Sequence, residues 1–76
     1  MQDLLAYIAK GLVDRPEDVT VESFEEDGAL VLELHVAEDD TGKVIGRNGR
    51  TVNAIRAVMR ACGTKQGRRV LVDIVD

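Results

Sequence analysis

The sequence predicts an α+β domain of order α-β-β-α-α-β, with three helices covering one face of a three-stranded mixed sheet. Three observations predict it. Apolar residues recur at helical spacing near the start and again after residue 50, whereas around residue 32 and at the end they alternate at the strand period of two. Two helical stretches separate the last two strands, which are therefore parallel neighbours joined by a right-handed crossover. A tight turn joins the first two strands into an antiparallel hairpin. With 76 residues, 45% apolar and 32% charged, the chain suffices for one core, so residues 1–76 read as a single domain without a large catalytic cleft.

The elements follow in order. Leu4, Leu5, Ile8 and Leu12 share a helical side, with Asp3 at the start where a carboxylate suits the helix dipole. Gly11 and the Asp14-Arg15-Pro16 turn end that helix. Val19 and Val21 alternate with Thr20 and Glu22 as a short strand, and Glu26-Asp27-Gly28 supplies a tight turn. The cleanest strand comes next, with Leu30, Leu32, Leu34 and Val36 on one face and Val31, Glu33 and His35 on the other. Glu38-Asp39-Asp40-Thr41 offers N-cap chemistry for a very short helix over Gly42–Ile45. Asp39 and Asp40 read as caps rather than magnesium ligands. After Gly46-Arg47-Asn48-Gly49 a long helix runs from Arg50 to about Cys62, burying Val52, Ile55, Met59 and Cys62. Gly63 and Gly67 bracket a polar turn, and Val70, Val72 and Ile74 alternate with Leu71, Asp73 and Val75 as the last strand.

The net charge of −4 hides a strong asymmetry. Residues 1–42 carry two basic against twelve acidic side chains, net −10, and residues 43–76 carry eight against two, net +6. Such a chain presents a basic surface within an acidic protein, unless the halves neutralise each other in the fold.

Residues 43–60 carry the chemistry. Gly46 and Gly49 flank Arg47 and Asn48 between two helical segments, and glycine lets another backbone approach closely. The loop feeds a helix N-terminus, where unpaired N–H groups and the dipole favour an anion. Arg47 and Arg50 oppose that dipole, a conflict that a bound phosphate removes. Asn53, Arg56 and Arg60 fall within about 60° of one another on the long helix, and Val44 and Ile45 supply an apolar floor for a base.

This pattern resembles type II KH domains, and among them the small bacterial single-KH RNA-binding proteins of the KhpA family, over essentially the whole chain. The resemblance implies that the GxxG loop, Gly46-Arg47-Asn48-Gly49, clamps the backbone of about four single-stranded nucleotides. Ile45 matches the aliphatic residue before that loop, and Lys43, Arg47 and Arg50 match basic positions of the family. The implied RNA-binding set is Lys43, Val44, Ile45, Gly46, Arg47, Asn48, Gly49, Arg50, Asn53 and Arg56. Leu30 to Val36 is expected to form the opposite wall of the groove, and Glu25 to Gly28 its variable loop. Asn48 departs from the Lys or Gln frequent in the family, and the acidic Glu25, Glu26 and Asp27 repel RNA on that side. The implied partners are single-stranded RNA, a second copy, or a larger KH-containing protein of the KhpB type. The implied setting is RNA chaperone activity and post-transcriptional control of cell elongation and envelope synthesis.

Other chemistries lack their residues. Cys62 is alone, so no intrachain disulfide forms, and with His35 as the one histidine no closed zinc site exists. No cofactor, metal or small-molecule substrate is expected. No phosphate-binding loop ending in Gly-Lys-Ser/Thr is present and no nucleophile set, so the reading is non-enzymatic. Tyr7 and Phe24 are too few for a base-stacking platform. The start of the chain lacks a basic signal-peptide region, and no stretch is long and apolar enough for a membrane span, so a cytoplasmic protein is expected. Two surfaces suit a protein contact: Ala54, Ala57 and Ala61 on the long helix, and Val31, Leu71 and Val75 on the uncovered sheet face. The rival reading is a degenerate KH fold that serves as a protein-interaction or dimerisation module.

Overall fold

A computed structural model describes residues 1–75; Asp76, counted in the charge of the second half, lies outside them. The order is α1 (Gln2–Leu12), β1 (Thr20–Glu26), β2 (Ala29–His35), α2 (Thr41–Ile45), α3 (Arg50–Lys65) and β3 (Val70–Val75). Single 3-10 turns lie at Pro16–Asp18, Glu38–Asp40 and Arg47–Gly49. The sheet order is β1-β2-β3, with β1 antiparallel and β3 parallel to the central β2. This is the arrangement expected of a type II KH fold.

The core forms where the apolar faces meet. Leu32 and Leu34 of β2 and Val70 and Val72 of β3 pack against Leu5 and Ala9 of α1, Val44 of α2, and Ile55 and Met59 of α3. The β1–β2 hairpin turns through Asp27 (φ 52°) and Gly28 (φ 80°), the pair of positive φ values that suits the twist of a two-residue hairpin.

Three elements differ from expectation. β1 extends to Glu26, because each residue from Thr20 to Glu26 has a partner on β2 from His35 to Ala29, and the ladder overrides the weak strand preference of a Glu-rich segment. α3 runs through Gly63 to Lys65. A Cβ at Gly63 would lie 2.6 Å from Val70 Cγ2 and 2.7 Å from the Arg68 carbonyl oxygen, so this glycine admits β3 rather than ending the helix. The helix closes later, where Gly67 N–H donates to Thr64 O at 3.0 Å and Arg68 N–H to Gly63 O at 2.7 Å. Finally, Val31 is not an uncovered residue of the outer sheet face. It is 4% exposed, lying in register between Phe24 and Leu71.

Candidate functional site

The link between α2 and α3 has a backbone that few residues other than glycine adopt. Gly46 has φ 76° and ψ 172°, Asn48 φ 57° and ψ 26°, and Gly49 φ 74° and ψ 12°. A Cβ at Gly46 would lie 2.7 Å from Thr51 Cβ and 2.9 Å from Thr51 N, so the loop is pressed onto the first turn of α3. Asn48 occupies the left-handed region, which Asn tolerates better than most side chains do. That gives a backbone reason for Asn at this position. No side chain caps α3, and its first N–H, that of Arg50, donates to the Arg47 carbonyl within the loop.

The basic residues fall into two groups. Among the described residues, Arg47, Arg50, Arg56 and Arg60 form no ion pair with a carboxylate. Arg56 Nε donates to the Val72 carbonyl at 3.2 Å, and Arg68 pairs with Glu25. Lys43 is held elsewhere, with Nζ 2.8 Å from Asp14 Oδ2 and 3.3 Å from Asp40 Oδ1. These hydrogen bonds raise its pKa. Asp40 is 1% exposed and accepts the backbone N–H groups of Asp14 at 3.3 Å and Arg15 at 3.0 Å. Burial pushes the Asp40 carboxyl up, but those two donors and Lys43 outweigh it and hold the carboxyl below its ordinary value. Asp40 is therefore not the helix cap expected of it; it ties the end of α1 to α2.

The geometry corrects three expectations. Val44 is fully buried and offers no surface to a base, so of the two aliphatic residues before the loop only Ile45, which is exposed, faces outward. Lys43 belongs to the Asp14–Asp40 cluster rather than to the loop. The strand beside α3 is β3, not β2, because β2 is central and hemmed in by both neighbours. A groove runs between the Arg56–Arg60 flank of α3 and the outer edge of β3, as adjoining depressions of about 550 and 260 Å³. Arg68 and Arg69 line one end of it, so the bordering turn is residues 66–69 rather than Glu25–Gly28.

The free edge of β3 offers main-chain groups to that groove. Leu30 N–H donates to Arg69 O at 2.8 Å, which turns the Arg69 carbonyl toward β2. Alternation along a parallel ladder then points the N–H and C=O groups of Val70, Val72 and Ile74 outward, as the Arg56 bond to Val72 O requires. Gly46 to Arg50, Asn53, Arg56 and Arg60 thus follow one another from the loop down one flank of α3. The sequence signal for Arg68 and Arg69 was their position just before the last strand. A right-handed crossover out of β2 places that strand beside α3.

The whole chain has known relatives. The family described as "KhpA/KhpB, KH domain" matches residues 2–74. The RNA-binding protein KhpA of Halalkalibacterium halodurans is 50% identical over 76 residues, covering 100% of both chains. The RNA-binding protein KhpA of Streptomyces coelicolor is 50% identical over 76 residues, 100% of this chain and 92% of its own. The RNA-binding protein KhpA of Clostridium perfringens is 45% identical over 75 residues, 99% of this chain and 100% of its own.

Proposed function

The chain belongs to the KhpA/KhpB family of KH domains, and on that premise we propose that it is a non-enzymatic, single-stranded RNA-binding protein. One observation carries the proposal: Arg47 within a tight glycine loop and Arg50 just after it, neither paired with a carboxylate among the described residues, stand at the start of α3, whose Arg56 and Arg60 line the groove beside β3. Gly46 and Gly49 admit the sugar-phosphate backbone, and the N–H groups that follow Arg50 at the start of α3 hold a phosphate. Arg47 and Arg50 add charge, Asn48 hydrogen-bonds phosphate or ribose, and Ile45 contacts a base. Asn53, Arg56 and Arg60 steer the strand along the groove, where the outward main-chain groups of β3 meet base edges.

Dimerisation belongs to the same proposal. Ala54, Ala57, Val58 and Ala61 are exposed on α3 on the side away from the core and suit close approach of a second helix, from another copy or from a KhpB-like protein. Pairing two weak grooves raises affinity through effective concentration. The family resemblance supplies the proposed setting, a cytoplasmic RNA chaperone in post-transcriptional control of cell elongation and envelope synthesis. No helix among the described residues is long and apolar enough to cross a membrane.

The test is fluorescence anisotropy with short single-stranded RNA at two salt concentrations, for the wild type and for Arg47→Asp/Asn48→Asp, with circular dichroism to confirm folding. Two or three phosphate contacts give a log–log salt slope of about −1.4 to −2.1. The expected result is salt-sensitive binding that the folded double variant loses. Equal binding by the two proteins would leave the protein-interaction module as the better reading.

A further inference from the structure

The sheet face opposite the helices meets the groove only along β3, where Arg69, Leu71 and Asp73 border both. Phe24, Val31 and Leu71 lie in register across the three strands and form one apolar row on that face. Phe24 and Leu71 are 41% and 42% exposed. Glu22, Glu33 and Asp73 form the next row, also in register, with His35 Nε2 3.7 Å from Glu22 Oε1 and 4.0 Å from Glu33 Oε1 and Asp73 without such a neighbour among the described residues. On the other side of the apolar row stand Glu26 and Asp27, with Arg69 as the one cation at the rim among the described residues. A depression of about 240 Å³ lies there, floored by Ala29 and Val31. The apolar row spans two strand spacings, about 10 Å, or about two turns of a helix laid across the strands.

We propose that this face docks a cationic amphipathic helix of a partner protein, its apolar stripe on the Phe24–Val31–Leu71 row and its Lys or Arg residues against the flanking carboxylates. Charge complementarity selects this occupant. Five carboxylates against one guanidinium repel a phosphate backbone, so RNA does not bind here. A second copy presenting the same face would bring like-charged rows together. An apolar row with acidic residues on both sides matches a helix with an apolar stripe between two basic flanks. The face lies across the sheet from the layer that carries the Gly46–Gly49 loop, so a docked partner leaves the loop open and the domain joins an RNA to a protein.

The probe is a synthetic peptide of about 18 residues with leucines at i, i+3, i+4 and i+7 flanked by lysines, long enough to form a helix. The control has the same composition with the leucines scattered around the helix. Both are titrated into the nitrogen-15-labelled chain and followed by amide shifts. The expected result is perturbation of the row around Phe24, Val31 and Leu71, with the control weaker by about tenfold or more. Leu71→Ser and, separately, Glu22→Lys/Asp73→Lys substitute exposed side chains, so folding survives, and each lowers affinity by about tenfold or more. Three results overturn the proposal: equal binding of the two peptides, shifts confined to α1 or to the Gly46–Gly49 loop, or variants that change the sedimentation of the chain alone. The last would mean that a second copy covers the face.

Discussion

Gly46→Ala isolates the geometry on which the loop rests. At φ 76° and ψ 172° the residue sits in a region that is essentially glycine's alone, and placing a side chain there costs about 1–3 kcal/mol. The new Cβ also meets Thr51 Cβ at 2.7 Å and Thr51 N at 2.9 Å, inside any real contact distance. Part of that clash is with backbone, so no rotamer change relieves it, and overpacking adds about 1–3 kcal/mol. The sum, about 2–6 kcal/mol, compares with a whole stability of about 4–11 kcal/mol for a domain of this size. Gly49→Ala is the control: its φ is 74°, but the nearest side-chain atom is 3.6 Å away, so only the left-handed cost of about 1–2 kcal/mol applies. Gly42→Ala, in α2 with open space around it, is expected to stabilise by about 0.5–1 kcal/mol. Urea unfolding followed by circular dichroism ranks the three. In thermal melts Gly46→Ala should lower Tm by about 8 °C at the low end of that sum and about 48 °C at the high end. The reasoning fails if Gly46→Ala is as stable as Gly49→Ala.

Two further predictions follow from the residues beside the loop. Val44→Ala is expected to cost about 2 kcal/mol while the folded fraction keeps its RNA affinity, because Val44 is core. Ile45→Ala should cost under about 1 kcal/mol and weaken RNA binding; paired urea and anisotropy measurements separate the two. The carboxyl of Asp40 is held below its ordinary 3.8, so its contribution to stability is present above that value and is lost as pH falls below it. Asp40→Asn should therefore be less stable than wild type at neutral pH, and the gap between them should narrow in urea midpoints taken below pH 3.8. Lys43 runs the other way. Its raised pKa gives stability that is present below 10.5 and lost as pH rises above it.

Much of the fold was legible because local and global preferences agree. The alternation in Leu30 to Val36, the Asp27-Gly28 turn and the period of α3 each point to the element observed. What was missed depends on contacts between distant residues. Gly63 reads as a helix breaker until β3 is seen lying against it. Asp40 reads as a cap until the turn after α1 brings the N–H groups of Asp14 and Arg15 to its carboxylate, across 26 and 25 residues. The resemblance to KH domains is read as placing the groove wall on β2. The parallel crossover instead puts β3 at the edge beside α3, the consequence of topology that sequence periodicity does not express. Val44 and Ile45 are adjacent and chemically alike, and only the direction of α2 decides that one is core and the other surface.

The most direct test of the central claim, that RNA lies in the groove between α3 and β3 with its backbone on the Gly46–Gly49 loop, is an amide-shift titration of the labelled chain with short single-stranded RNA. The account expects the largest changes from Gly46 to Asn53, at Arg56 and Arg60, and at the outward amides of Val70 and Val72, with Glu22 and Phe24 on the far sheet face unmoved. A silent loop, or changes centred on Glu22, Phe24 and Val31, would contradict it.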